Sequence, residues 1–340
     1  MSAVRERNVQ VNGASNYKRA APIFHSEDHR IHLLILALDY SNSKQRLPSV
    51  IDAKHIEDLA KQCGVHEVLT LYNQQCTKDA VRKAIKTTGS KCGVNDYFIL
   101  YYEGHGTVLR DPDFQSAHDE AFVLVDPNGK ASPATLFLEN DFSTLVLDNF
   151  KPETRIILLT DPGHEVPVID VTREYWAGRQ IVHVSAVDAR RSDEDLRRGI
   201  FTHALLLAID KLSRVGRDNY SVGMLFNAWL LEDEQVFRGM QDLEIQTSEN
   251  FSPDAMAWPL VPPAGYQAPL SRCTGPAGVL SNASMFGIQS SLLQHVVQEA
   301  LNAPVSIEEY LNYVQGQARF QFKPCRACSS GYAPAPCSLQ

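Results

Sequence analysis

Two short segments of the sequence set proton-transfer groups beside backbone of little bulk. In Glu103-Gly104-His105-Gly106-Thr107 an imidazole stands between two glycines, so a substrate chain can come close to a general base. Asp161-Pro162-Gly163-His164-Glu165 gathers three titratable groups within five residues. A histidine between glycines suits a structural loop as well as a reaction, so neither segment is decisive alone. The seven cysteines are an odd number, spread over a chain with room for a sizeable core, which fits free thiols in a reducing compartment rather than a disulfide scaffold. Cys325 and Cys328 form a C-x-x-C with Cys337 nine residues on. A structural zinc site needs a fourth ligand, and only Cys273 and His295 are distant candidates, so flexible tail thiols are the expectation.

Both segments follow apolar runs, and those runs set the expected architecture. Ile31 to Asp39, Asp96 to Tyr102 and Arg155 to Thr160 are nearly continuous apolar stretches, as in strands buried on both faces of a parallel sheet. Further strands are expected at Glu67 to Tyr72, Ala121 to Val125 and Ile181 to Val187, with Trp258 to Val261 as an edge strand. Helical periodicity falls within Pro48 to Cys63, Thr77 to Lys86, Asp141 to Phe150, Phe201 to Leu212 and Ser221 to Leu231. The alternation predicts an α/β fold, a three-layer sandwich of a mostly parallel sheet flanked by helices, over residues 31–262. A polar arm (1–30) precedes it, and a Pro/Ala/Gly/Ser linker (263–283) and a helical extension with a flexible tail (284–340) follow. In such a sheet reactive groups sit beyond the carboxyl ends of the strands, where both motif segments fall.

Composition narrows the function. A net charge of −8 over 340 residues argues against nucleic acid as a partner. With no apolar run near 20 residues and no apolar leader after Met1, the expectation is a soluble, cytoplasmic protein with no membrane partner.

Taken in order, several segments resemble the metacaspases, caspase-like cysteine peptidases of clan CD, family C14. The resemblance rests on Leu33 to Tyr40 followed by Leu47-Pro48-Ser49-Val50-Ile51-Asp52-Ala53, on Asp96 to Thr107, on Gly199-Ile200-Phe201-Thr202-His203-Ala204-Leu205-Leu206, and on Ser221-Val222-Gly223 with Gln241 to Pro259. It implies that His105 is the catalytic histidine, assisting a thiolate that attacks a peptide carbonyl. The family's Asp-x-Cys-His-Ser-Gly aligns with Asp161-Pro162-Gly163-His164-Glu165-Val166, which leaves Gly163 where the nucleophilic cysteine belongs. Removing such a nucleophile costs on the order of 10⁶ in kcat, so a pseudo-peptidase is expected. Cys92 precedes the strand leading to His105, and Cys63 and Cys76 flank the second strand away from the motif loops, so only a folded-back tail could deliver a substitute, from Cys273, Cys325, Cys328 or Cys337.

The resemblance further implies a pocket for Arg or Lys, with Asp52 and Asp161 at its base and Glu103 beside them, so a basic peptide would bind uncut. An active metacaspase is the other implied partner, and a monomer the expected state. No cofactor is required. Calcium is the one ion the resemblance allows, at Asp119, Glu139, Asn140 and Asp170, all oxygen donors. An active Arg/Lys-specific endopeptidase remains the alternative reading.

Overall fold

The structure, a computed structural model, describes residues 29–110, 118–163, 167–187, 199–215, 219–237, 239, 241–263 and 265–266. The N-terminal arm, nearly all of the linker, the C-terminal extension with Cys273, Cys325, Cys328 and Cys337, and His164 to Val166 lie outside these residues.

A six-stranded sheet forms the centre. Its strands are β1 (Ile31–Ala37), β2 (Glu67–Tyr72), β3 (Tyr97–Glu103), β7 (Arg155–Asp161), β8 (Gln180–Val187) and β9 (Asp242–Thr247), in the order β2-β1-β3-β7-β8-β9. All pairs are parallel except β8 with β9. Because successive residues of β1 and β3 face opposite sides, their unbroken apolar sequence feeds two cores. Leu33, Ile35, Tyr101 and Ile99 join one cluster with α1 (Ser49–Gln62), α4 (Ile200–Arg214) and α5 (Val222–Val236). Leu34, Leu36, Leu100 and Tyr102 join the other with α2 (Lys78–Lys91) and α3 (Glu139–Asn149). Helices therefore cover both faces, which is the predicted three-layer sandwich.

The register brings the functional segments together. Ala37 pairs with Glu103 and Glu103 with Asp161, so β1, β3 and β7 end at one level. Above that edge a small antiparallel sheet, β4 (Gly106–Arg110), β5 (His118–Val123) and β6 (Leu136–Leu138), grows directly out of the His105 loop.

Two local expectations are corrected. Trp258 to Val261 is not an edge strand. The indole N–H of Trp258 donates to Leu260 O at 2.9 Å, and Trp258 and Leu260 are buried beside α5, while prolines 259, 262 and 263 offer no donors for a ladder. The edge is β9, whose Asp-Leu-Glu-Ile-Gln-Thr alternates with period two. Helix α2 also runs past Lys86 to Lys91, with Thr77 capping it by accepting from Ala80 N at 3.3 Å.

Candidate functional site

The His105 loop is held from three sides. Its backbone N–H donates to the Tyr40 hydroxyl at 2.8 Å, which in turn donates to Val123 O at 2.7 Å, and the Tyr102 hydroxyl donates to His105 O at 2.6 Å. The imidazole stacks on the Tyr40 ring with centroids 4.4 Å apart, and Nε2 lies 2.9 Å from Gln45 O. A carbonyl accepts only, so Nε2 carries a proton. Gly104 is required here: a Cβ would stand 2.7 Å from the Tyr102 hydroxyl and 2.8 Å from that of Tyr40.

The Gly163 segment is stitched to this loop through backbone. Gly104 N–H donates to Asp161 O at 3.3 Å and Gly106 N–H to Pro162 O at 2.8 Å. His105 and Gly163 line one cavity of about 350 Å³, together with Glu103, Asp161, Gly199 and Gln241. At Gly163 a Cβ would meet no atom within 4 Å, although the backbone there is left-handed, with φ +54°.

Of the three acids expected in the pocket, Glu103 and Asp161 line the cavity, and Asp52 stands behind, hydrogen-bonded to Glu103 and reached past Gly199. The Tyr101 hydroxyl donates to Glu103 at 2.5 Å, and Gln241 donates to Asp161 at 3.4 Å. Burial, with Asp52 and Asp161 adding repulsion, raises the Glu103 carboxyl well above its ordinary value. Burial pushes Asp52 up to about 6, against the pull of His55. Crowded carboxylates hold protons unless a cation enters, so this end of the cavity favours a positively charged group.

Two histidines that sequence reading missed flank Asp52. His55 follows it by three residues on α1, and His203 begins α4. Burial lowers the pKa of His55 and takes His203 down to about 4, leaving both rings neutral at pH 7.

The residues offered to calcium also assemble, with additions. Asn140 donates to Asp119 at 3.1 Å. The Arg173 guanidinium lies 3.1 Å from Glu120, 3.1 Å from Glu139 and 3.7 Å from Asp170, and donates to Asn140 at 3.4 Å. The Tyr175 hydroxyl donates to Glu139 at 2.5 Å. The donor set suits a cation, and a guanidinium of this chain is already seated in it. Glu120, Arg173 and Tyr175 have no signal in the sequence, because only the folded loops bring them to Glu139.

The described thiols contribute nothing to the cavity. Burial pushes Cys63, Cys76 and Cys92 up to about 12, and none of them lines it. Cys76 corrects the sequence reading. It lies at the motif end of the sheet, in the cluster of Tyr40 and Tyr102, with its Sγ 3.0 Å from Leu71 O. Among the described residues no helix is long and apolar enough to cross a membrane.

Comparison with known proteins fits this geometry. No curated protein matches the chain. Among solved structures, protein GSU0716 from Geobacter sulfurreducens aligns at 18% identity with a TM-score of 0.50, covering 68% of this chain and 99% of its own. Caspase-1 from Spodoptera frugiperda aligns at 14% identity and TM-score 0.42, covering 76% of this chain and all of its own. The Drosophila initiator caspase Dronc aligns at 14% and 0.38, covering 75% and 97%. The first of these supports the fold. The family model described as the caspase domain matches residues 29–211, more than half of the chain and both motif loops, and so this chain belongs to the caspase domain family.

Proposed function

We infer that this chain is a metacaspase-like pseudo-peptidase, which binds a basic peptide or protein segment in a hydrolase-shaped cavity and does not cut it. An active relative presenting such a segment is a partner of the same kind. One observation carries the reading: Gly163, without a side chain, shares its cavity with an oriented histidine and with Glu103 and Asp161. A guanidinium entering beside those carboxylates forms charged hydrogen bonds worth about 1.5–3 kcal/mol each, whereas the absent thiol leaves no attacking atom. No cofactor is required on this reading, since Arg173 supplies the positive charge that the acidic loops need.

The experiment is fluorescence anisotropy with a labelled Arg-ended peptide, run beside a cleavage assay on the same peptide. Binding without turnover is expected. Asp161→Asn, which keeps the shape offered to Gln241, should weaken binding about tenfold, the loss of one charged hydrogen bond. Unchanged affinity would show that the acid lies outside the peptide's reach. Turnover that disappears on thiol alkylation would overturn the reading and favour a working endopeptidase supplied with a cysteine from outside the described residues.

Binding should also depend on pH with a definite sign. A guanidinium favours ionised Asp52, whose carboxyl is raised to about 6, so complex formation releases a proton. Affinity falls as pH drops through 6, by about tenfold between pH 7 and pH 5 from Asp52, and it keeps rising above pH 7, where Glu103 still holds its proton in the free protein. Anisotropy titrations at those two values check this; a flat profile would detach Asp52 from the ligand.

A further inference from the structure

Behind the cavity, Asp52, His55 and His203 offer a carboxylate oxygen and two imidazole nitrogens that all lie within 4.8 Å of one another. Asp52 Oδ1 is 4.0 Å from His55 Nδ1 and 3.8 Å from His203 Nδ1. A tetrahedral ion with bonds of about 2.0–2.1 Å sets its ligand atoms about 3.4 Å apart, so each imidazole must approach Asp52 by roughly half an ångström, and the two rings, within 4.8 Å of each other, must close by up to about 1.4 Å. The geometry points to a zinc site at Asp52, His55 and His203, with an open fourth position facing Glu103 and the cavity.

Four observations converge on it. The three ligands come from two rigid elements, α1 and the start of α4, where Asp52 and His55 share a face at three-residue spacing. All three side chains are buried, so an ion would be held away from bulk water. The site has an entry path, because Gly199 lines the cavity and lacks the Cβ that would stand 2.9 Å from Asp52 Oδ2 and 3.3 Å from His203 Nδ1. The donor set of two imidazoles and a carboxylate is the borderline mixture that zinc accepts, with the fourth position left to water or to Glu103. His203 Nδ1 sits 2.5 Å from Gly199 O, which orients the ring in the ion-free state. Ligation through Nδ1 moves the ring proton to Nε2 and frees that carbonyl.

The other such cluster among the described residues behaves differently. His32, Cys92 and Asp96 also converge, but both Asp96 oxygens accept backbone N–H groups, from Arg30 at 2.8 Å and Gly93 at 2.6 Å. His32 Nδ1 is engaged by Glu67 at 3.1 Å. That carboxylate braces a turn, whereas Asp52 lies directly behind the cavity, with Gly199 between.

The site shares Asp52 with the peptide pocket, but its test needs no substrate, so failure of either reading leaves the other standing. Full-length protein stripped with chelator is titrated with zinc by calorimetry, as are a variant with Cys273, Cys325, Cys328 and Cys337 all changed to Ser, and His55→Ala in that background. One site should persist without the tail thiols and weaken about 100-fold or more in His55→Ala. X-ray absorption on the zinc-loaded serine variant should show nitrogen and oxygen ligands without sulfur. Should His55→Ala fold poorly, judged by its melting curve, Asp52→Asn replaces it with the same expected loss. Zinc binding that vanishes with the four tail thiols, or that is untouched by His55→Ala and Asp52→Asn, would overturn the site.

Discussion

Gly163→Cys is expected to convert a silent protein into a slow endopeptidase that cuts after arginine. The substitution returns a thiol to a position where a Cβ meets nothing within 4 Å, in the cavity that His105 already lines. Tyr40, Tyr102 and Gln45 fix the backbone and ring of that histidine in place. The left-handed backbone at residue 163 costs a side chain about 1–2 kcal/mol, so recovery is partial. Set against the roughly 10⁶ lost with a nucleophile, a rise of at least about 100-fold over the parent in hydrolysis of an Arg-ended fluorogenic peptide is the expected outcome, abolished by alkylation. A folded variant that binds the peptide and still fails to cut it would mean that the oxyanion-binding backbone has been lost along with the sulfur.

Arg173→Gln should make the stability of this protein depend on calcium. In the parent one guanidinium serves Glu120, Glu139 and Asp170, and Glu139 is 1% exposed. Removing a partner from a fully buried ion pair costs about 3–5 kcal/mol, and partial exposure of Arg173 and Asp170 reduces this to about 2 kcal/mol. That corresponds to a fall of about 4–8 °C in melting temperature for a domain of this size. Calcium, which takes oxygen donors in flexible geometry, should restore most of the loss at millimolar concentration while moving the parent little. A variant that melts like the parent, or one that calcium cannot rescue, would show that the acids do not need a shared cation.

The sheet was legible because its strands are buried on both faces and read as unbroken apolar runs. The meeting of the histidine loop with the Gly163 segment was legible because parallel strands deliver their following residues to one edge. The structure differs where the information is not local. Strand β9 carries only a polar-apolar alternation, and the Trp258 run looked more strand-like because buried indole and leucine are apolar in any setting. Cys76 was misplaced because the turn at Asn73–Gln75 carries the chain back beneath Tyr40, which no spacing in the sequence records. His203 meets Asp52, and Arg173 meets Glu120, only after helices and loops far apart in the chain have docked. Polar contacts of this kind depend on the fold and leave no periodicity behind.

The tyrosines under the histidine loop carry an evolutionary consequence. Tyr40 and Tyr102 fill the apolar core as well as gripping His105, so mutations that loosen the grip also destabilise the protein. Selection on folding alone therefore keeps the imidazole in its posture whether or not the protein hydrolyses anything. Residue 163, whose side chain would meet nothing within 4 Å, is under no such packing constraint, so the bracing of the histidine outlasts changes at that position.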